Sequence, residues 1–238
     1  MTENALVTGG SQGIGAAIVR RLTEDGYHVV SLDRVAPEVR VGTHVTIDLG
    51  DRPATAAALA EVTRRFPITR LVNNVGTVAP AAVGSATAAE LESVLDLNVR
   101  VAIQCAEAVL PAMKEAGFGR IVGISSRAAL GKELRSAYAA AKAAIHGLTK
   151  TWALELGRFG ITVNAVGPGP IATELFRRVN PEDSPRTAAI RDAIPVARMG
   201  TPEDVAGAVA YFLDRRSGFV TGQVLYVCGG MTVTSAEV

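Results

Sequence analysis

Residues 5–15 of the 238-residue chain read ALVTGGSQGIG, a short apolar run that passes directly into glycines at 9, 13 and 15. The run predicts a β-strand and the alanine-rich stretch after Gly15 predicts a helix, so the glycines occupy a strand-to-helix turn. Each glycine has a task in that setting. Gly9 permits the tight turn out of the strand, Gly13 lets the backbone approach a pyrophosphate, and Gly15 lets the helix pack close to the sheet. The opening helical turn presents unpaired N–H groups, which attract an anion. Ser11, Gln12 and Ile14 complete the loop and join its glycines as candidate cofactor-binding residues.

A carboxylate at the end of the next strand extends this reading. Asp33 closes VVSLDR, 20 residues beyond Gly13, where it can accept hydrogen bonds from adenosine ribose hydroxyls. The same charge repels a 2′-phosphate, and Gln12 offers no positive charge to hold one, so NAD is expected over NADP. Arg34, beside Asp33, pulls in the other direction.

Further strands are predicted at 28–32, 45–48, 70–73, 120–125, 162–166 and 224–227, with Asp48 ending the third. These runs are almost continuously apolar, as in a parallel sheet covered on both faces. Thr87-Ala-Ala-Glu90 and Thr201-Pro-Glu-Asp204 resemble capping boxes that open helices. Strand and helix alternate from end to end, which predicts an α/β fold: a single-domain doubly wound Rossmann fold across 1–238, with about seven parallel strands and helices on both faces. Residues 174–200 break the rhythm with three prolines and mixed charge, and are read as a mobile lid over the site.

Composition excludes several classes. Hydrophobic residues make up 48%, charged residues 20%, and the net charge is +1 with Lys and Arg scattered. Neither a nucleic-acid surface nor a polybasic membrane anchor is expected. No apolar run approaches the length of a membrane span, and no signal peptide is read, so a cytoplasmic protein is expected. Cys105 and Cys228 are far apart, and His28, His44 and His146 are isolated, so no metal site is expected.

A second stretch, SAYAAAKAAIHG at 136–147, places Tyr138 and Lys142 four residues apart and therefore on one helical face. TGGSQGIG, NNVG at 73–76, this Tyr-x-x-x-Lys and PGPIAT at 168–173, in that order, resemble the short-chain dehydrogenase/reductase family over essentially the whole chain. The resemblance implies hydride exchange between a nicotinamide cofactor and a small alcohol or ketone substrate, with Asn98, Ser126, Tyr138 and Lys142 as the catalytic group. It places Asp48 and Leu49 at the adenine, and Asn73, Asn74, Val75 and Gly76 along the sheet and cofactor groove, Val75 standing where the family usually has alanine. Pro168, Gly169, Ile171 and Thr173 fall at the nicotinamide end. It also implies a homotetramer or homodimer, with the helix after Asn98 and the helix of Tyr138 at the interface.

Two serines compete for one role. Ser126 precedes Tyr138 by 12 residues where 13 is common in the family, and Ser125 restores the count. Ser126 is preferred because loops absorb deletions more readily than strands absorb register shifts. In the expected mechanism Tyr138 exchanges the proton as acid or base, its pKa lowered by the Lys142 cation together with the positive nicotinamide of NAD. Ser126 stabilises charge on the substrate oxygen, and Asn98 holds a relay water. Substrate walls are expected at 77–83, 127–135 and 174–195. Two alternatives stand beside this reading. One is a 3-oxoacyl-acyl-carrier-protein or 3-oxoacyl-CoA reductase docking through Arg127, Lys132 and Arg135; the other is a non-catalytic dinucleotide-sensing module on the same scaffold.

Overall fold

Apolar runs too short for helices form β1 (Asn4–Thr8), β2 (His28–Asp33), β3 (Thr43–Thr46), β4 (Ile68–Asn73), β5 (Gly119–Ile124), β6 (Ile161–Pro168) and β7 (Val224–Val227). The computed structural model, which describes residues 3–233, pairs them in one parallel sheet in the order β3-β2-β1-β4-β5-β6-β7. The chain builds outward from β1 to β3, then returns to lay β4 on the other side of β1. That reversal opens a crevice at the carboxyl ends of β1 and β4, the place where open α/β sheets bind ligands.

Between the strands lie α1 (Gly13–Glu24), α2 (Arg52–Arg65), α3 (Ala88–Leu95), α4 (Val101–Glu115), α5 (Ser136–Leu156), α6 (Glu174–Val179), α7 (Pro185–Asp192) and α8 (Pro202–Leu213). Alternate residues of one strand feed opposite faces. Leu6 packs with Leu59 of α2 and Val109 and Met113 of α4, whereas Ala5 and Val7 pack with Ile18 and Leu22 of α1 and Val205 and Val209 of α8. Both faces of β1 are thus buried, which is why its sequence lacks alternation. Both expected capping boxes form, Thr87 with Glu90 and Thr201 with Asp204. A π-helical turn, Asp96–Arg100, joins α3 to α4. No helix among the described residues is long and apolar enough to cross a membrane.

One expectation needs revision. The third strand runs from Thr43 to Thr46, not from Val45 to Asp48. Asp48 instead shapes a turn: its Oδ1 accepts from Gly50 N at 2.8 Å and its carbonyl from Asp51 N at 3.1 Å. An aspartate able to bond its own backbone two residues on favours a turn over a strand. Within 174–200, the segment expected to form a lid, the chain forms α6 and α7, whose starts Thr173 and Ser184 cap by accepting from Phe176 N and Thr187 N.

At the amino end of the sheet, the Arg70 side chain is fully buried. Its guanidinium pairs with Glu3 at 2.8 Å and lies 4.4 Å over the Tyr27 ring and 4.9 Å over that of Phe118. Glu3 also pairs with Arg215. Burial pushes the Glu3 carboxyl up, but hydrogen bonds from Arg215 and Arg70 outweigh it and hold the pKa below its usual value. A carboxylate with a depressed folded pKa stabilises above its unfolded pKa and loses that contribution as pH falls through the folded value. Glu3→Gln should therefore cost about 1–2 kcal/mol at pH 7, and the gap to the parent should close as pH approaches 3 in urea unfolding. An equal gap at both pH values contradicts this assignment.

Candidate active site

The crevice is built on a lock between β1 and β4. The buried Thr8 hydroxyl accepts from Asn74 N at 3.0 Å and Val75 N at 3.1 Å. In return Asn74 Nδ2 donates to Thr8 O at 3.0 Å and Gly9 O at 2.9 Å. Leaving this lock, Gly9 takes φ +68°, and α1 runs back so closely that a Cβ on Gly15 would lie 1.9 Å from Gly9 O. The third glycine is thus required by close approach. Whereas α2, α3, α6, α7 and α8 are capped by the side chains of Asp51, Thr87, Thr173, Ser184 and Thr201, α1 has no side-chain cap at Gln12. Its first N–H groups stay available above a cradle that a Cβ would fill, which fits a dinucleotide pyrophosphate.

Asp33 is fixed at the rim of this cradle. Its Oδ2 accepts from Ser11 N at 3.0 Å and its Oδ1 from Val35 N at 3.3 Å, while Ser11 Oγ donates to Val35 O at 2.6 Å. Arg34 and Asp48 border one groove of about 1040 Å³ with Gly50, Thr77, Asp96 and Arg100. Leu49, next to Asp48, is buried. Across the crevice, Pro168 ends β6 and Gly169 N donates to Val227 O at 2.9 Å. Ile171 is buried and bridges to Gly200. Thr173 lies opposite the glycine loop, its Cγ2 being 3.2 Å from where a Gly13 Cβ would stand. Ile14 packs against the α1/α8 side of the core.

The four expected catalytic residues converge. Lys142 is buried, with Nζ donating to Ile124 O at 2.9 Å and 5.5 Å from the Tyr138 ring centre. Asn98 sits in the π-helical turn, a distortion common at functional positions. Its Nδ2 donates to Thr77 O at 2.9 Å and Val94 O at 2.8 Å, leaving Oδ1 buried and without a partner. A Cβ on Gly76 would stand 2.3 Å from that Oδ1 and 3.2 Å from Lys142 Nζ, so both groups surround the space that glycine keeps open. Ser126 Oγ accepts from Ala128 N at 3.1 Å, and its hydroxyl is near enough to the Tyr138 phenol to oppose the rise of that group's pKa. Ser125 points elsewhere: it donates to Lys142 O at 2.9 Å and lies 2.7 Å from His146 Nε2.

In the protein itself, burial governs the Tyr138 phenol. Burial raises the Tyr138 pKa, against smaller opposing effects of the Ser126 hydrogen bond and the Arg135 charge. Lys142 is directed at Ile124 O and does not produce the lowering expected from the four-residue spacing. Burial also pushes the Lys142 ammonium down, to about 8.

Two contributors were not singled out in the sequence. One is Thr8, a buried hydroxyl in an apolar strand. The other is a charged staple across the π-helical turn, where Arg100 pairs with Asp96 at 2.5 Å and donates to Leu49 O at 2.8 Å while Arg52 holds Asp96 at 2.6 Å. The staple ties the Asp48–Leu49 turn to the turn that carries Asn98. The four-residue spacing of Asp96 and Arg100 was visible; the contact to Leu49 is long-range and was not.

A family model described as Enoyl-(Acyl carrier protein) reductase matches residues 9–232. The chain belongs to the short-chain dehydrogenase/reductase family. It is 37% identical over 96% of both chains to the (2S)-[(R)-hydroxy(phenyl)methyl]succinyl-CoA dehydrogenase subunit BbsD of Thauera aromatica. It is 33% identical to the 3-oxoacyl-[acyl-carrier-protein] reductase FabG of Staphylococcus aureus, over 97% of this chain and 98% of that one. Among solved structures it superposes, with a TM-score of 0.89 and 32% identity, on an NAD(P)-dependent gluconate 5-dehydrogenase of Beutenbergia cavernae with bound NADP, covering 98% and 97% of the two chains. The chain is an oxidoreductase of the kind that acts on alcohol and ketone groups, and its cofactor is a nicotinamide dinucleotide.

A lysine whose folded pKa lies below its unfolded value carries a penalty at low pH that is relieved as pH rises between the two. The parent should therefore gain stability relative to Lys142→Met between pH 7 and 10, by on the order of 1–3 kcal/mol in denaturant unfolding. Parallel pH profiles contradict the burial of a charged Lys142.

Proposed function

We propose that the protein is an NAD(H)-dependent oxidoreductase interconverting a secondary alcohol and a ketone on a small molecule, with Tyr138 as general acid and base. The observation that carries this reading is the common neighbourhood of Ser126, Tyr138, Lys142 and the unpartnered Oδ1 of Asn98 beside the glycine crevice. The bound dinucleotide supplies or accepts the hydride. In reduction, the Tyr138 phenol, kept protonated by burial, donates its proton to the substrate oxygen as charge develops there. Ser126 donates a hydrogen bond to the same oxygen and stabilises that charge. Lys142 Nζ and Asn98 Oδ1 supply a donor and an acceptor for a water that returns a proton to Tyr138.

The carboxylate of Asp33, oriented by Ser11 N and Val35 N, supports NAD over NADP because it faces the ribose with negative charge. Residues 174–200 act in this proposal as a lid, since Thr173 starts α6 next to the glycine loop. Assembly as a homotetramer or homodimer and residence in the cytoplasm, where the free Cys105 and Cys228 stay reduced, belong to the same proposal. Similarity to FabG favours a second reading, a 3-oxoacyl-acyl-carrier-protein or 3-oxoacyl-CoA reductase.

In steady-state assays with ketones, diketones and 3-oxoacyl thioesters, Tyr138→Phe should lose about three orders of magnitude in kcat while its dinucleotide Kd stays within about threefold. Ser126→Ala should lose about a hundredfold, far more than Ser125→Ala. Full turnover by Tyr138→Phe refutes the mechanism. Asp33→Ser should shift the kcat/KM ratio toward NADPH by at least about tenfold; an unchanged ratio refutes the role given to Asp33.

A further inference from the structure

The loop joining Ser126 to Tyr138 carries Arg127, Lys132 and Arg135 against a single acid, Glu133. It begins with the 3-10 turn Arg127–Leu130, immediately after Ser126, and ends at Arg135, which precedes α5. The loop is held in place. Ala81 N donates to Leu134 O at 3.2 Å, and Ala81 and Arg135 form an isolated parallel bridge, so two of the three expected substrate walls meet. Leu134 takes φ 58°, left-handed backbone that a leucine adopts only under constraint. Desolvation first, and then the charges of Arg135, Arg127 and Arg186 of α7 in the third wall, hold the pKa of the exposed Lys132 below its usual value.

Arg127, Lys132 and Arg135 thus lie on the loop between Ser126 and Tyr138, and the charge of Arg186 reaches Lys132 on it. Among the described residues, none of them pairs with a carboxylate, although twelve ion pairs form elsewhere. Arg135 spends one N–H on Leu134 O at 2.9 Å, and its charge reaches the Tyr138 phenol. A fold that fixes like charges together at the reacting end of a cleft, without a counter-charge, is electrostatically complementary to an anion arriving there.

We propose that the substrate is anionic, and that Arg127, Lys132, Arg135 and Arg186 receive an oxyanion, carboxylate or phosphate, carried on the same molecule as the reacting carbonyl. The inference rests on the reading of the site as one that interconverts carbonyl and alcohol. The cations bind and orient the far end of the substrate, so their removal raises KM rather than lowering kcat.

The test compares matched pairs on the whole enzyme with saturating cofactor. Acetoacetyl-CoA is set against the uncharged acetoacetyl-N-acetylcysteamine thioester, and a short keto acid against its methyl ester. The parent should prefer the charged member of at least one pair by tenfold or more in kcat/KM, and the pair that shows it distinguishes phosphate from carboxylate. Lys132→Gln/Arg186→Gln should cut that preference at least fivefold through KM, and Lys132→Arg/Arg186→Lys should restore it. No preference in the parent, or one that survives the double glutamine variant, overturns the inference. If no compound turns over, the carbonyl reading fails for these compounds and binding decides the charge inference separately. Calorimetric binding of coenzyme A or citrate in saturating NAD, weakened at least fivefold by the double glutamine variant, upholds the anion site, and its absence or indifference to the variant overturns it.

Discussion

Everything the site does depends on four hydrogen bonds between Thr8–Gly9 and Asn74–Val75. They join the carboxyl ends of β1 and β4, the two strands between which the sheet reverses its direction of growth. Without them the glycine loop and the 73–76 turn would leave neighbouring strands independently. With them, the pyrophosphate cradle above Gly9 and the space kept open by Gly76 belong to one rigid edge. The bonds are inward-facing and satisfied, so they cost little and specify much.

The second constraint is a lysine where a lysine is expensive. Lys142 is buried with one carbonyl for company, and its helix is tied to the end of β5 by Ser125, which contacts both Lys142 O and His146 Nε2. Burial lowers the ammonium pKa toward the physiological range and raises that of Tyr138 beside it. Both shifts disfavour charge in the cleft, and only that of Lys142 brings a group closer to neutral pH. The π-helical turn shows the same trade. It gives up regular helix to aim Asn98, and the Asp96–Arg100–Arg52 staple restrains it from outside.

Much of this was legible in the sequence because it is local. Apolar runs without alternation reported a sheet covered on both faces, and capping boxes at Thr87 and Thr201 marked two helix starts. The glycine spacing reported a turn whose geometry only glycine satisfies at position 15. Other features depend on long-range partners. Asp48 was assigned to a strand because its preference for an Asx-type turn competes with an apolar run just before it. Burial, not the Lys142 spacing, governs the Tyr138 pKa of the protein itself, because spacing tells which face two side chains share, not which carbonyl the lysine chooses or how much water is excluded. The choice between Ser125 and Ser126 rested on a register argument, and the structure gives the two hydroxyls different partners for the same reason: adjacent residues leaving a strand point to opposite sides. The link from Arg100 to Leu49 joins residues 51 positions apart and leaves no trace in local pattern.

The account stands on the claim that the β1–β4 lock shapes the dinucleotide cradle. Thr8→Val keeps the shape of the side chain and removes the hydroxyl that two backbone N–H groups share, so it tests that claim directly. Fluorescence titration should show Kd for NADH and NADPH rising together by about tenfold or more, with the far-ultraviolet dichroism of the sheet unchanged. Unchanged affinity for both dinucleotides in a folded Thr8→Val protein would contradict the account.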